Sequence, residues 1–393
     1  MWTLASRHNV FLLAASQALM LSAVVLAMTL AAILGGMLAP DQALATLPVA
    51  AMVIGTALAS TPASLLMRAC GRRAGFAIGV GLGLTGSLLC AWGLHSHSFT
   101  VFVLGHLLMG AYQGFANYYR FAAVEAAGAA NASRAISSVV AAGVLAAFAG
   151  PQLAVWGRDL LSGPAFVGSY LAQAALSLLA LTLIAQLHLP AIALNPVDDA
   201  RPLREIVAQP ALRASVFGAA VGYAVMIMAM TATPLAMLGC GLSTDDVRPV
   251  IQWHVVGMFA PSFFTGALVA RHGAPRIMQI GFVLLLGHVA VAVSGVEWLH
   301  FLSALILLGV GWNFAYIGGS ALLTQTYRPS EQTQVQAFNE SLTFGLVALA
   351  SLGAGWLYDR FGWSALNLAA VPLLVMALIT TLSLGRRTEP AQA

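Results

Sequence analysis

Two short runs in this chain carry side chains suited to one kind of chemistry. Met226-Ile-Met-Ala-Met230 and His254-Val-Val-Gly-Met258 each set two donors at i and i+4, and a helix presents such a pair one turn apart on one face. Thioethers and a neutral imidazole are soft donors without formal charge. They suit Cu(I), accept silver for the same reason, and suit hard cations such as Mg²⁺ poorly. Neutral ligands also hold a metal less tightly than thiolates, which favours release. If the two runs lie on helices joined as an antiparallel hairpin at Gly241 and Leu242, Met226 is level with Met258 and Met230 with His254. Met237 and Cys240 continue the Met230 stripe toward the hairpin turn. A shift of 202 residues carries Met230 onto Met28 and His254 onto Met52, which makes these secondary candidates. The plain alternative is packing, because methionine fills apolar cores and the chain has fourteen of them.

A second set is ionisable and embedded in apolar sequence: Arg120, Glu125, His106, His288 and Glu340. Groups of this type inside a membrane serve proton coupling or a gate, or else mark a helix end at the interface. Gln113, Asn117, Tyr118, Asn313 and Tyr316 form a polar set that fits a wet central cavity.

These residues must be positioned by elements that live in lipid. Sixty per cent of the 393 residues are hydrophobic and 8% charged, a composition that cannot cover a surface facing water. About 20 apolar residues span a bilayer as a helix. Twelve such stretches are expected, at 10–37, 43–67, 74–94, 99–122, 134–156, 164–187, 213–239, 247–270, 275–295, 298–321, 334–358 and 363–385. The first is too long for a secretory signal and leads directly into the next, so it is expected to remain as a helix.

All seventeen basic residues are arginine. With both termini in the cytoplasm, fourteen fall inside, and only Arg158, Arg248 and Arg360 fall outside. The net charge of +4 therefore reports orientation and not an affinity for nucleic acid. Cys70, Cys90 and Cys240 are scattered without a pairing pattern.

The longest polar interruption, 189–212, holds Pro190, Pro196, Pro202 and Pro210. It divides the chain into an N-terminal six-helix half (1–188), a cytoplasmic linker and a C-terminal six-helix half (213–393). The turn Ser64-Leu-Leu-Met-Arg68-Ala-Cys-Gly71-Arg72 falls on Gly266-Ala-Leu-Val-Ala270-Arg-His-Gly273-Ala at the same 202-residue shift, as a duplication would give. Gly81-Leu-Gly83-Leu-Thr-Gly86 matches a dinucleotide fingerprint in form, but it lies inside an apolar helix and suits close helix packing. No nucleophile, zinc or phosphate-loop motif is present, so no enzyme and no resident cofactor are expected.

These turns resemble the loop signature of the major facilitator superfamily. Gly355-Trp-Leu-Tyr-Asp359-Arg360-Phe-Gly362 is the better copy, while Arg68 and Ala270 stand where the signature has aspartate. The resemblance implies an all-α integral membrane protein of twelve helices in two six-helix bundles that rock to alternate access. The pairs Met226/Met230 and His254/Met258 resemble the signature of the CcoA-like copper transporters within that superfamily. This implies a multi-pass copper importer of the bacterial inner membrane that supplies assembly of cbb3-type cytochrome oxidase. Copper ion, membrane lipid and a cytoplasmic copper chaperone or exporter are the implied partners. The other expectation is a proton-coupled transporter of an organic solute or drug, with methionines lining an adaptable pocket and Glu125 or Glu340 carrying the proton.

Overall fold

A computed structural model describes residues 4–41, 44, 47–161, 164–189 and 200–385. Pro190 and Pro196 of the expected linker, and Arg386 and Arg387, lie outside the described residues. Within them the regular elements are helices. In chain order these are α1 (Leu4–Leu38), α2 (Leu47–Cys70), α3 (Arg72–His95), α4 (Phe99–Ala116), α5 (Tyr119–Ala127), α6 (Ala132–Ala141), α7 (Gly143–Trp156) and α8 (Val167–Ala185). There follow α9 (Leu203–Ala208), α10 (Pro210–Gly239), α11 (Thr244–Phe259), α12 (Ser262–His272), α13 (Ala274–Ser294), α14 (Trp298–Leu323), α15 (Gln332–Leu368) and α16 (Val371–Gly385).

Helices are what lipid permits, because a bilayer offers no water to satisfy exposed backbone groups. Several side-chain hydroxyls are satisfied within their own helix. Ser22, Thr56, Ser87, Thr233 and Thr265 each donate to the carbonyl four residues back.

Eleven described stretches are long and apolar enough to cross a membrane. The last, Pro329–Leu384, has 56 residues, roughly 84 Å of helix at 1.5 Å per residue. That exceeds twice the hydrocarbon thickness. Gly362, with φ +76°, kinks α15 within this stretch and separates two crossings. The protein is therefore a multi-pass membrane protein, with twelve crossings among the described residues. Several crossings are broken internally; α11 gives way to α12 at Pro261, whose nitrogen has no proton for the helical ladder.

The helices gather into two compact units. The first comprises the described residues of Met1–Gly128, Ala142–Leu194 and Gln336–Phe344; the second comprises those of Ala129–Ala141, Asn195–Val335 and Gly345–Ala393. The first unit thus takes in a piece of α15, and the second takes in α6. Inside the first unit α4 packs on α2 and α3, and α3 on α8. Inside the second, α14 packs on α11 and α13, and α13 on α16. The two units thus share one packing pattern.

The tightest approaches use glycine. A Cβ on Gly110 of α4 would strike the Met52 carbonyl of α2. In the corresponding place a Cβ on Gly309 of α14 would lie 2.5 Å from the His254 carbonyl of α11. In the second unit, Arg201 grips the buried Glu331 through Nε at 2.7 Å and Nη2 at 2.8 Å, which ties the chain before α9 to the turn before α15.

Candidate functional site

In the second unit, His254 turns its ring to α14 and is fully buried there. Its Nδ1 lies 2.8 Å from the Leu305 carbonyl, so Nδ1 carries the proton and Nε2 keeps a lone pair. That Nε2 is buried without a hydrogen-bond partner. One turn on, Asn313 donates to the Met258 carbonyl and to Ser262 Oγ, both at 2.6 Å, and accepts from Thr265 Oγ1 at 2.8 Å. Asn313 is thus a staple between α14 and the α11–α12 break. Met226 is buried on α10 and Met230 half-buried. Met237 is buried near the end of α10, while Cys240 is exposed at its C-cap. The interactions of His254 and Met258 run to α14, a helix that the two-helix hairpin expectation leaves out.

Around the same helix stands an aromatic cluster. Trp312 and Tyr316 stack with centroids 4.9 Å apart at 14°. Tyr223 of α10 meets both edge-on, at 5.3 and 5.6 Å, and Phe259 of α11 meets Trp312 edge-on at 5.8 Å. Tyr223 is half-buried and the other three rings are buried. The indole Nε1–H of Trp312 is buried without a hydrogen-bond partner, an unusual state for an indole in a packed core. The cluster packs α10, α11 and α14 against one another and leaves one buried indole donor without a partner. Only Tyr316 stood out in the sequence; the spacing Trp312-Asn-Phe-Ala-Tyr316, which puts two aromatics on one helical face, is the signal for the rest.

In the first unit, Arg120 of α5 and Glu340 of α15 form an ion pair of 2.6 Å, with side chains 4% and 0% exposed. Glu340 Oε1 also accepts from Asn339 at 2.6 Å, and Arg120 Nη1 donates to the Asn117 carbonyl at 2.6 Å. Glu125 takes Arg72 through both oxygens, at 2.6 and 3.2 Å, and the same guanidinium reaches Gln336 at 2.8 Å. Arg72 and Gln336 did not stand out among the ionisable and polar residues of the sequence. Tyr118 donates to the Ser60 carbonyl, and Gln113 accepts from Thr56.

His106 is buried between the Phe102 carbonyl, 2.9 Å from Nδ1, and the Tyr170 hydroxyl, 3.3 Å from Nε2. Met52 belongs to the apolar core that includes Leu26, Leu30, Phe102 and Tyr170, and Met28 packs against it. His288 of α13 is buried between Ala304 and Asn367.

The family model described as Major Facilitator Superfamily matches residues 249–393. The riboflavin transporter RfnT of Brucella anthropi is 41% identical over 378 residues, covering 95% of each chain. The uncharacterized MFS-type transporter YdeG of Bacillus subtilis is 28% identical, covering 95% of this chain and 88% of the relative. Among solved structures, the human organic anion transporter MFSD10 (TETRAN) superposes with a TM-score of 0.74 at 15% identity, over 96% of this chain and 99% of that one. The similarity to RfnT overturns the expectation of copper import, and with it the link to cytochrome oxidase assembly. A full-length relative at this identity carries an organic molecule, whereas the soft-donor pattern that suggested copper occupies only four positions on two helices.

Proposed function

The chain belongs to the major facilitator superfamily, and we propose that within it this protein is a secondary transporter of a planar heteroaromatic solute of the riboflavin class. The observation that carries this reading is the 41% identity with RfnT across 95% of both chains. The aromatic cluster of the second unit supports it. Trp312 and Tyr316 would supply stacking faces, the half-buried Tyr223 an edge, and the indole N–H a hydrogen bond to the solute. In this reading Met226, Met230, His254 and Met258 pack and orient the helices that hold the cluster, and Met237, Cys240, Met28 and Met52 have no part in metal handling.

The pairs Arg120–Glu340 and Arg72–Glu125 would serve as coupling or gating elements, since each is an ion pair whose break changes local charge in a poorly solvated place. His106 would act in packing, because both of its nitrogens already have suitable partners. The organisation proposed with this function is two halves, 1–188 and 213–393, joined by a linker at 189–212. The chain would sit in a bacterial inner membrane with both termini cytoplasmic; the arginine distribution supports this placement.

The test is riboflavin counterflow with the purified chain in liposomes. Labelled riboflavin should enter liposomes preloaded with unlabelled riboflavin faster than it enters protein-free ones, saturably, and without inhibition by silver. Entry equal to that of protein-free liposomes would remove the riboflavin reading.

A further inference from the structure

His288 differs from the other buried histidines in what its ring nitrogens face. Nδ1 lies 2.9 Å from the Ala304 carbonyl of α14, and Nε2 lies 3.0 Å from Asn367 Oδ1. Both partners are oxygen acceptors. The amide of Asn367 is oriented by its other end, since Nδ2 donates to the Trp363 carbonyl at 2.8 Å. Exchanging the amide oxygen and nitrogen would set two oxygens 2.8 Å apart. A neutral imidazole has one N–H, so one of its nitrogens would oppose an oxygen lone pair. Only the doubly protonated ring satisfies both acceptors. His254, by contrast, has one acceptor and an unpartnered Nε2, and His106 has one acceptor and a hydroxyl donor. Both suit the neutral ring.

We infer that His288, with Ala304 O and Asn367 Oδ1, is a proton-binding site in the second unit and that its occupancy drives the transport cycle. The proton arrives from water on one side, adds to the unprotonated ring nitrogen and forms a second N–H bond. It later leaves to water on the other side, and no other bond changes. Losing it sets a lone pair against an oxygen, so the ring or the Asn367 amide must turn. Either movement disturbs the segment after the Gly362 kink, which Trp363 Nε1 pins to the Ala292 carbonyl of α13 at 2.9 Å. Proton occupancy is thereby tied to the docking of that segment on α13.

The ionisable surroundings are sparse. Of the elements packed on α13, α16 carries no ionisable residue, α12 carries Arg271 and His272 in its last turn, α10 carries Arg213 in its first turn and Tyr223, and α14 carries His300 in its first turn and Tyr316. On α13 itself Arg276 lies in the first turn, and α15, which supplies Asn367, holds Glu340, Tyr358, Asp359 and Arg360. The nearby imidazole is His254, bonded to the carbonyl next to the one that holds His288, and a charge on one ring opposes a charge on the other.

The role in transport rests on the riboflavin reading, whereas the proton site does not. In liposomes, His288→Gln should retain counterflow and lose accumulation driven by a pH gradient. Asn367→Asp, which puts a carboxylate against the ring, should move the midpoint of the pH dependence up by about 1–3 units. Asn367→Leu, which removes an acceptor, should move it down. Accumulation by His288→Gln equal to the parent's, or an unmoved profile in both Asn367 variants, would overturn the proposal. The second pair of variants decides it if His288→Gln does not fold. Independently of riboflavin, ¹⁵N spectra of the histidine rings in micelles should show His288, identified by its absence in His288→Gln, doubly protonated at a pH where the His106 ring is neutral. A neutral His288 ring at that pH would overturn the site even if riboflavin transport holds.

Discussion

The ion pair between Arg120 and Glu340 is buried within the first unit, with both side chains out of reach of water. Desolvating two charges is costly, and their attraction repays the cost only while both are present. Arg120→Ala should therefore destabilise the protein by about 3–5 kcal/mol, read as a fall in the thermal midpoint in detergent. Replacing both residues together with apolar ones should recover most of that loss. At the aromatic cluster, stacking and the indole donor separate by variant. Trp312→Phe retains a ring and removes the N–H, while Trp312→Ala removes both. Each ring contact is worth about 0.5–1.5 kcal/mol, so Trp312→Ala should raise the KM for riboflavin up to about tenfold, with the phenylalanine variant between it and the parent. Equal KM values in all three would take Trp312 out of the binding site.

Helix contacts depend on where a side chain is absent. The α2–α4 and α11–α14 crossings both place a glycine where the partner backbone comes into contact, Gly110 against Met52 and Gly309 against His254. A branched side chain there must push two helices apart, so Gly309→Val should cost more than the about 1–3 kcal/mol typical of overpacking. Unfolding measured against Gly345→Val, at a position with nothing within 4 Å of the new Cβ, separates crowding from helix propensity. Gly362 is the converse case. Nothing crowds its Cβ position, but φ +76° and ψ −179° suit glycine alone. Gly362→Ala should cost about 1–3 kcal/mol from the backbone itself, seen as a lowered thermal midpoint.

Topology is a property of the whole chain. Twelve crossings among the described residues would return the chain to the side on which it began, and the count turns on the kink at Gly362 within one 56-residue stretch. A reporter enzyme active only outside the cytoplasm should be silent when fused after Arg201, active after Gly241 and silent again after Gly385. Activity after Gly385 would mean eleven crossings and would reverse the last helix. The two units hold to the same packing plan, α4 on α2 and α3 in one and α14 on α11 and α13 in the other.

The class and the crossings were legible in the sequence, because hydropathy over about 20 residues is a local property of the chain. The sequence also singled out Arg120, Glu125, Glu340, His106 and His288, since an ionisable group in an apolar run is visible without a fold. The partners of those groups were not legible. Arg120 and Glu340 are 220 positions apart, and helical periodicity says which residues share a face but not which helix that face meets. His254 shows the same limit. Its spacing to Met258 suggested a pair turned toward α10, whereas its ring goes to Leu305 of α14, because Gly309 lets that backbone come close. Thioether and imidazole donors at helical spacing describe a metal path and a packed core equally well. Only the tertiary structure decides what each nitrogen and sulfur touches, as it decides that His288 alone of the three buried rings faces two acceptors.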